Sequence, residues 1–191
     1  MSAVAFPLPD PSGGPLRWSV ERYLMAVEAG VFGPDDRVEM LEGEITEKMG
    51  QDFPHIDGIR FLIAALRIAL GPRFDVNAQL PLRTPDSVPE PDAYVLRGTA
   101  RDFVGRYPEP HEVVLVAEVS NTSLARDREQ KARIYAHAGF AEYWILNVAD
   151  RQLETHRSPL PSGVYGESRV YREDEPAPLN GATILVADLL S

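Results

Sequence analysis

Two carboxylates and a lysine stand where three predicted elements could bring them together. Asp92 begins one predicted strand, Glu118 lies near the end of a nearly continuous apolar run, and Lys131 follows on the next predicted helix. An isolated buried carboxylate is very costly, so such an acid must be paired, protonated or bound to a cation. Two acids that approach each other favour a hard cation such as Mg²⁺ or Mn²⁺. If the two strands are neighbours, the pattern predicts a metal-binding pair beside a lysine.

The elements that carry these residues follow from the hydrophobic pattern. The apolar run over 113–119 is typical of a strand covered on both faces, and Glu118 shares one of those faces with Val116 and Ser120. In the helix that follows, Lys131 is seven residues from Leu124 and four from Tyr135, which puts it on or beside the packed face. Asp127 lies three residues after Leu124 and four before Lys131, so it falls on the same face, and we interpret it as structural.

The remaining elements complete a mixed α/β order with one domain over 18–191. Residues 1–17 are rich in proline and glycine and predict a flexible lead-in, and the tail predicts loops and short edge strands. The predicted elements are a helix from Val20, a hairpin over 37–49, a helix over 55–70, strands over 74–82, 91–96 and 113–120, a helix over 124–138, and a strand over 142–148 paired with 153–157.

Each of the three candidate residues also has a purely structural interpretation. Glu118 could be a strand-terminal acid that bonds backbone amides or caps the next helix. Asp92 could be a turn residue, and Lys131 could be a surface lysine whose stem covers apolar surface. The functional hypothesis depends on the convergence of all three residue types.

Composition excludes several classes of protein. The 191 residues contain no cysteine, which excludes disulfide scaffolds, thiolate zinc sites and cysteine nucleophiles. No run approaches the ~18 apolar residues of a membrane span, and the first residues show no secretion signal, so we expect a cytoplasmic protein without a membrane partner. The formal charge of −10 lacks the basic field typical of electrostatic nucleic-acid binders. Any nucleic-acid substrate would therefore require divalent cations, a partner or a local basic patch, and for the patch we consider the arginines at 60, 67, 83, 97 and 101.

Several segments together resemble a known family. The chain is similar, from about Trp18 to Leu190, to a bacterial family of putative restriction endonucleases within the PD-(D/E)XK nuclease superfamily. The order of the segments is more specific than any one of them. They are Val38–Ile45, the helix opening at His55, Glu90-Pro91-Asp92, Val116–Ser120, Arg126–Lys131 and Tyr135–Trp144.

The resemblance implies a restriction-endonuclease-like αβββαβ core, preceded by a helix and a β-hairpin and followed by extra strands. It implies that Asp92 and Glu118 bind Mg²⁺ or Mn²⁺ and that Lys131 is the catalytic lysine. Additional candidates are Glu39, Glu44, His55 and Gln79. The superfamily's usual lysine position, two residues after the acid, holds Ser120, and the resemblance implies that Lys131 replaces that lysine from the helix.

Three functions remain as hypotheses at this point. The first is a Mg²⁺-dependent endonuclease that hydrolyses DNA phosphodiester bonds, a reaction that needs an activated water and a cation to stabilise phosphate charge. The second is a catalytically weak or inactive nuclease-fold protein that acts as a binding or regulatory module. The third is a metal-dependent hydrolase of a small phosphorylated molecule. Fold analogy adds the expectation of a homodimer.

Overall fold

The protein, as a computed structural model, is described over residues 16–33, 35–48, 50 and 52–190. Its elements, in chain order, are α1 (Val20–Glu28), β1 (Val38–Leu41), β2 (Glu44–Glu47), α2 (Phe53–Leu70), β3 (Phe74–Asn77), β4 (Ala93–Arg97), β5 (Val113–Ser120), α3 (Leu124–Arg126), a π-helical turn (Asp127–Lys131), α4 (Ala132–Ala138), β6 (Glu142–Asn147), β7 (Gln152–Leu160), β8 (Val164–Arg172), β9 (Pro176–Leu179) and β10 (Ala182–Leu185).

A six-stranded mixed sheet in the order β3-β4-β5-β6-β7-β8 forms the centre of the fold. β5 and β6 run parallel, which requires a crossover connection, and the segment 124–138 supplies it. All other neighbouring pairs in the sheet are antiparallel. The predicted mixed sheet and αβββαβ order are therefore confirmed.

Helices cover both faces of the sheet. On one face α2 packs through Ile59, Leu62 and Leu66, together with the C-terminal segment. On the other face α4 packs through Ile134 and Tyr135. β5 lies between the two layers and is buried along nearly its whole length, as its apolar run predicted.

The N-terminal helix and hairpin form as predicted and lie over the end of the sheet that carries Asp92. Ser19 caps α1 by accepting a hydrogen bond from the backbone N–H of Arg22, and the hairpin turns at Glu42 and Gly43. Met40 of β1 forms a bridge with Val88, in the loop before β4. This bridge ties the hairpin to the strand ends.

Three predicted elements differ from the structure. The strand predicted over 74–82 ends at Asn77, because Gln79 has a φ of +51° and the chain leaves the sheet there. The helix predicted over 124–138 is interrupted by the π-turn. The tail holds a nine-residue strand, β8, where short edge strands were expected.

The predicted lead-in lies outside the described residues except for Leu16 and Arg17. Among the described helices, none combines the length and the apolar character that spanning a bilayer requires.

Candidate active site

A cavity of about 60 Å³ opens where β4 begins and β5 ends. Ala93 pairs with Ala117 in the antiparallel register, so one further step along the register brings Asp92 beside Glu118. The cavity therefore joins the two predicted acids, and its carboxylates are Glu39, Glu90, Asp92, Glu118 and Asp127.

Asp92 is buried and makes two hydrogen bonds that favour its charged form. His55 Nε2 lies 3.2 Å from Oδ1, and the backbone N–H of Val119 donates to Oδ2 at 2.8 Å. Burial alone would raise the pKa of Asp92, but the hydrogen bond and charge of His55, together with the Val119 amide and the charge of Lys131, outweigh burial and hold the pKa below its usual value. Asp92 is therefore an ionised carboxylate at neutral pH.

His55 is placed by the first turn of α2. Its backbone N–H donates to the side chain of Asp52, the N-cap of the helix, at 3.1 Å. Burial lowers the pKa of His55, but its bond to Asp92 outweighs burial and raises the pKa overall. The imidazole thus holds Asp92 in a fixed orientation from the neighbouring helix.

Glu118 receives both of its hydrogen bonds on one oxygen. Lys131 Nζ donates to Oε1 at 2.9 Å, and the Tyr135 hydroxyl donates to the same atom at 2.6 Å. Burial raises the pKa of Glu118 well above its usual value, and the charge of Lys131 opposes that rise only in part. Within the described residues no hydrogen bond reaches Oε2, which leaves that oxygen available to a ligand.

Lys131 is buried between two acids. Besides its bond to Glu118, its Nζ lies 3.6 Å from Oε1 of Glu39. Burial alone would lower the pKa of Lys131, but these carboxylates outweigh burial and raise it. The side chain is therefore a fixed ammonium in contact with the acid predicted to bind metal.

Glu39 reaches the cavity from β1 and is almost fully buried. Its Oε2 accepts the backbone N–H of Glu90 at 3.2 Å, and its Oε1 lies 3.9 Å from Arg126 as well as near Lys131. The hairpin thus contributes a second acid that holds the lysine in place.

Asp127 is a cavity residue that sequence reasoning interpreted as structural. Its Oδ2 accepts hydrogen bonds from the hydroxyls of Ser120 at 2.5 Å and Ser123 at 2.6 Å, and its carbonyl accepts one from Tyr143. Burial raises its pKa. The signal that could have found it was its position, four residues before Lys131 on the same packed face.

The other predicted residues occupy different places. Ser120 is buried and bonds Asp127, so it holds the π-turn rather than lining the cavity. Gln79 is exposed and lines the mouth of the cavity. The structure does not bring Glu44 to the cavity, because its side chain is exposed and pairs with Arg17 at 3.0 Å.

Four cations line the cavity: Arg37, Lys48, Arg126 and Lys131. Lys48 pairs with Glu90, and Arg126 lies near Glu39. The arginines considered from the sequence do not gather here, and none of the five at positions 60, 67, 83, 97 and 101 lines the cavity. No sequence pattern indicated Arg37 or Lys48, because their position depends on how the hairpin packs over the sheet.

The donor chemistry of the cavity fits a hard divalent cation. Carboxylate oxygens are the ligands that Mg²⁺ and Mn²⁺ prefer, and Asp92 and Glu118 present them from neighbouring strands. Among the described residues, no three Asp, Glu, His or Cys side chains already form a ligand set. The ammonium of Lys131 lies between Glu118 and Glu39 and orients both acids toward itself.

Comparison with known proteins agrees with this fold. A family model described as putative restriction endonuclease, Uma2, matches residues 20–186. The fold is similar to the crystal structure of a putative nuclease belonging to DUF820 from Anabaena variabilis ATCC 29413, with a TM-score of 0.71 and 14% sequence identity, over 92% of this chain and 97% of that chain. Comparison with curated proteins gave no match. The family model spans most of the chain, so the protein belongs to the Uma2 family of putative restriction endonucleases.

Proposed function

We propose that the protein is a Mg²⁺- or Mn²⁺-dependent endonuclease that hydrolyses DNA phosphodiester bonds at this cavity. The observation that carries the proposal is the convergence of Asp92, Glu118 and Lys131 from β4, β5 and the π-turn. Family membership adds that related chains are described as putative restriction endonucleases.

In this proposal each residue has a separate role. Asp92 and Glu118 hold the cation, which when bound supplies positive charge to the phosphate and lowers the pKa of water. His55 keeps Asp92 oriented, and Glu39 keeps Lys131 in place. Lys131 keeps a positive charge beside the phosphate, where negative charge accumulates as water adds to phosphorus and the leaving oxygen departs.

The size of the cavity argues against a small phosphorylated substrate. Pockets that enclose small molecules usually hold about 300–1,000 Å³. A cavity of about 60 Å³ takes a few water-sized groups, such as an ion and part of one phosphate. The rest of the substrate must lie outside it, as the backbone of a polynucleotide would.

A DNA-binding module without cleavage activity is the second candidate. The observation that favours it is Ser120, whose hydroxyl is committed to Asp127 at the position where the superfamily carries its lysine. In that case the acids and Lys131 would form a structural ion network.

A cleavage assay separates the two candidates. Plasmid and single-stranded DNA would be incubated with Mg²⁺ or Mn²⁺ and with wild type, Asp92→Asn, Glu118→Gln or Lys131→Met. Glu167→Gln, on the exposed surface of β8, serves as the control. We expect cleavage by wild type and the control, and at least a 100-fold slower rate in the other variants. Wild-type rates in Asp92→Asn or Glu118→Gln would contradict the site assignment.

We also propose that the protein forms a homodimer. The edge of the sheet at β8 supports this, because no strand among the described residues pairs with its outer side. A monomer mass by sedimentation equilibrium at micromolar protein concentration would contradict the homodimer.

A further inference from the structure

The cations at the cavity differ in whether a carboxylate of the protein lies close enough to pair with them. Lys48, Arg126 and Lys131 each lie within 4.0 Å of a carboxylate oxygen of Glu90, Glu39 or Glu118. Their positive charges are therefore largely balanced by neighbouring acids. Arg37, the fourth cation, is different.

Arg37 is exposed at the mouth of the cavity, where the hairpin opens. Its carbonyl accepts the backbone N–H of Lys48 at 2.7 Å, which fixes its backbone at the end of the β1–β2 pair. Within the described residues its guanidinium makes no ion pair and no hydrogen bond. The nearby Asp36 carboxylate accepts the backbone N–H of Gly33 at 2.7 Å, so it is engaged elsewhere.

An exposed, unengaged guanidinium beside a cavity with room for part of one phosphate is suited to a second phosphate. Guanidinium groups bind phosphate through two parallel hydrogen bonds, and such charge-assisted bonds are among the stronger ones in proteins. The cavity itself has room for part of one phosphate, next to Lys131. A group bound at Arg37 must therefore lie outside it, along the substrate chain.

We propose that Arg37 binds the phosphate next to the one positioned for cleavage, so that the site recognises a backbone of at least two consecutive phosphates. The inference rests on the proposed function and names Arg37 as a substrate-positioning residue. It helps to explain how a chain with a charge of −10 could still hold a polyanion, because a cation that pairs with no carboxylate among the described residues lies at the cavity mouth.

Equilibrium binding tests this role. A fluorescein-labelled oligonucleotide would be titrated with wild type, Arg37→Ala and Arg37→Lys by anisotropy, with Ca²⁺ present and at several salt concentrations. Arg37→Ala should weaken binding at least tenfold, which is the loss of one charged hydrogen bond. The slope of log K against log salt should become shallower by about 0.7–0.9. Arg37→Lys should recover part of the affinity.

Arg101→Ala is the matched control. Arg101 is also exposed, but it follows the C-terminal end of β4, whereas Asp92 precedes the N-terminal end of the same strand. The Arg101→Ala variant should bind the oligonucleotide with the same affinity as wild type. Unchanged affinity and salt slope in Arg37→Ala would overturn the role of Arg37.

A parallel Mn²⁺ titration separates the two proposals. Arg37→Ala should bind Mn²⁺ as wild type does. Wild type that binds Mn²⁺ but no oligonucleotide would overturn the role of Arg37 and leave the metal site intact. Wild type that binds neither would overturn both.

Discussion

Asp92 and Glu118 lie side by side, yet their surroundings favour opposite protonation states. His55 and the Val119 amide stabilise the charged form of Asp92, while burial favours the neutral form of Glu118. The difference comes from His55, which the distant α2 helix supplies to Asp92, and from the burial of Glu118, which the charge of Lys131 offsets only in part. Strand alternation could predict that the two acids approach each other, but it could not predict this difference.

Lys131 should be needed for stability and for cleavage, but not for metal binding. In Lys131→Met, Glu118 and Glu39 lose their common cation, and breaking a buried pair typically costs about 3–5 kcal/mol. We expect urea unfolding without metal to show a loss of that order. Because the ammonium no longer competes for the acids, Mn²⁺ should bind at least as tightly and restore part of the stability. Weaker Mn²⁺ binding in this variant would contradict the assigned role.

His156 should make stability fall in mild acid. Its ring stacks on Tyr143, its Nδ1 pairs with Ser168 at 2.8 Å, and burial lowers its pKa. The unfolded chain, with a His pKa near ~6.5, therefore binds the proton first as the pH falls, and stability is lost between that value and the lower folded pKa.

The His156→Phe variant tests this. Urea unfolding at pH 7.5 and pH 5.5 should show a smaller loss of stability in His156→Phe than in wild type. His55 contributes with the opposite sign in both proteins, so it cancels in the comparison. His111→Gln, on an exposed turn, is the control. Equal losses in His156→Phe and wild type would contradict the explanation.

At the scale of elements, α2 depends on a close approach to the sheet. A Cβ built at Gly58 would lie 2.8 Å from Cγ1 of Val119 and 3.2 Å from Cγ1 of Val148. Overpacking of this kind costs about 1–3 kcal/mol, against a gain of about 1 kcal/mol in helix propensity. We expect Gly58→Ala to destabilise the fold by about 1 kcal/mol.

A double-mutant cycle with Val119→Ala tests the cause. Removing the Val119 methyls should relieve the contact, so Gly58→Ala should cost less in that background, with a coupling of about 1 kcal/mol by urea unfolding. Additive effects would show that the cost of Gly58→Ala has another origin. Since His55 lies one turn earlier on α2, the single variant should also bind Mn²⁺ more weakly.

The interruption of the helix over 124–138 is a feature that local sequence patterns could not predict. The apolar spacing predicted one helix over 124–138, and it placed Lys131 correctly on the packed face. The apolar spacing carries no signal for the π-turn, because the turn forms around a polar residue, the buried Asp127, and its bonds to Ser120 and Ser123. Such turns are frequent at functional sites, where they adjust the direction of side chains.

At the scale of the molecule, the sequence was sufficient to predict the core. It was not sufficient to predict the rim of the cavity, which is the part that Arg37, Glu39 and Lys48 line. Periodicity and the apolar run predicted the sheet and its covering helices, which depend on burial. The rim depends on the Met40–Val88 bridge, which places β1 and its cavity residues over the strand ends. No spacing within the hairpin encodes that contact, so Arg37 and Lys48 could not be predicted.

The net charge of the whole chain also differs from the charge at the site. The overall value of −10 suggested a poor polyanion binder, yet four cations meet five carboxylates at the cavity. With His55 neutral and all five carboxylates ionised, the cavity carries a small net negative charge. A bound divalent cation would make it net positive. The function proposed here therefore depends on the metal more strongly than it would in a basic protein.

Calorimetric titration with Mn²⁺ is the most direct test of the central claim, that Asp92 and Glu118 form one metal site. Wild type, Asp92→Asn, Glu118→Gln and the surface control Glu167→Gln would be titrated at millimolar Mn²⁺, after circular dichroism shows that each is folded. We predict binding by wild type and the control, and its loss in both Asp92→Asn and Glu118→Gln. Binding that persists unchanged in those two variants, or is absent from folded wild type, would contradict the account.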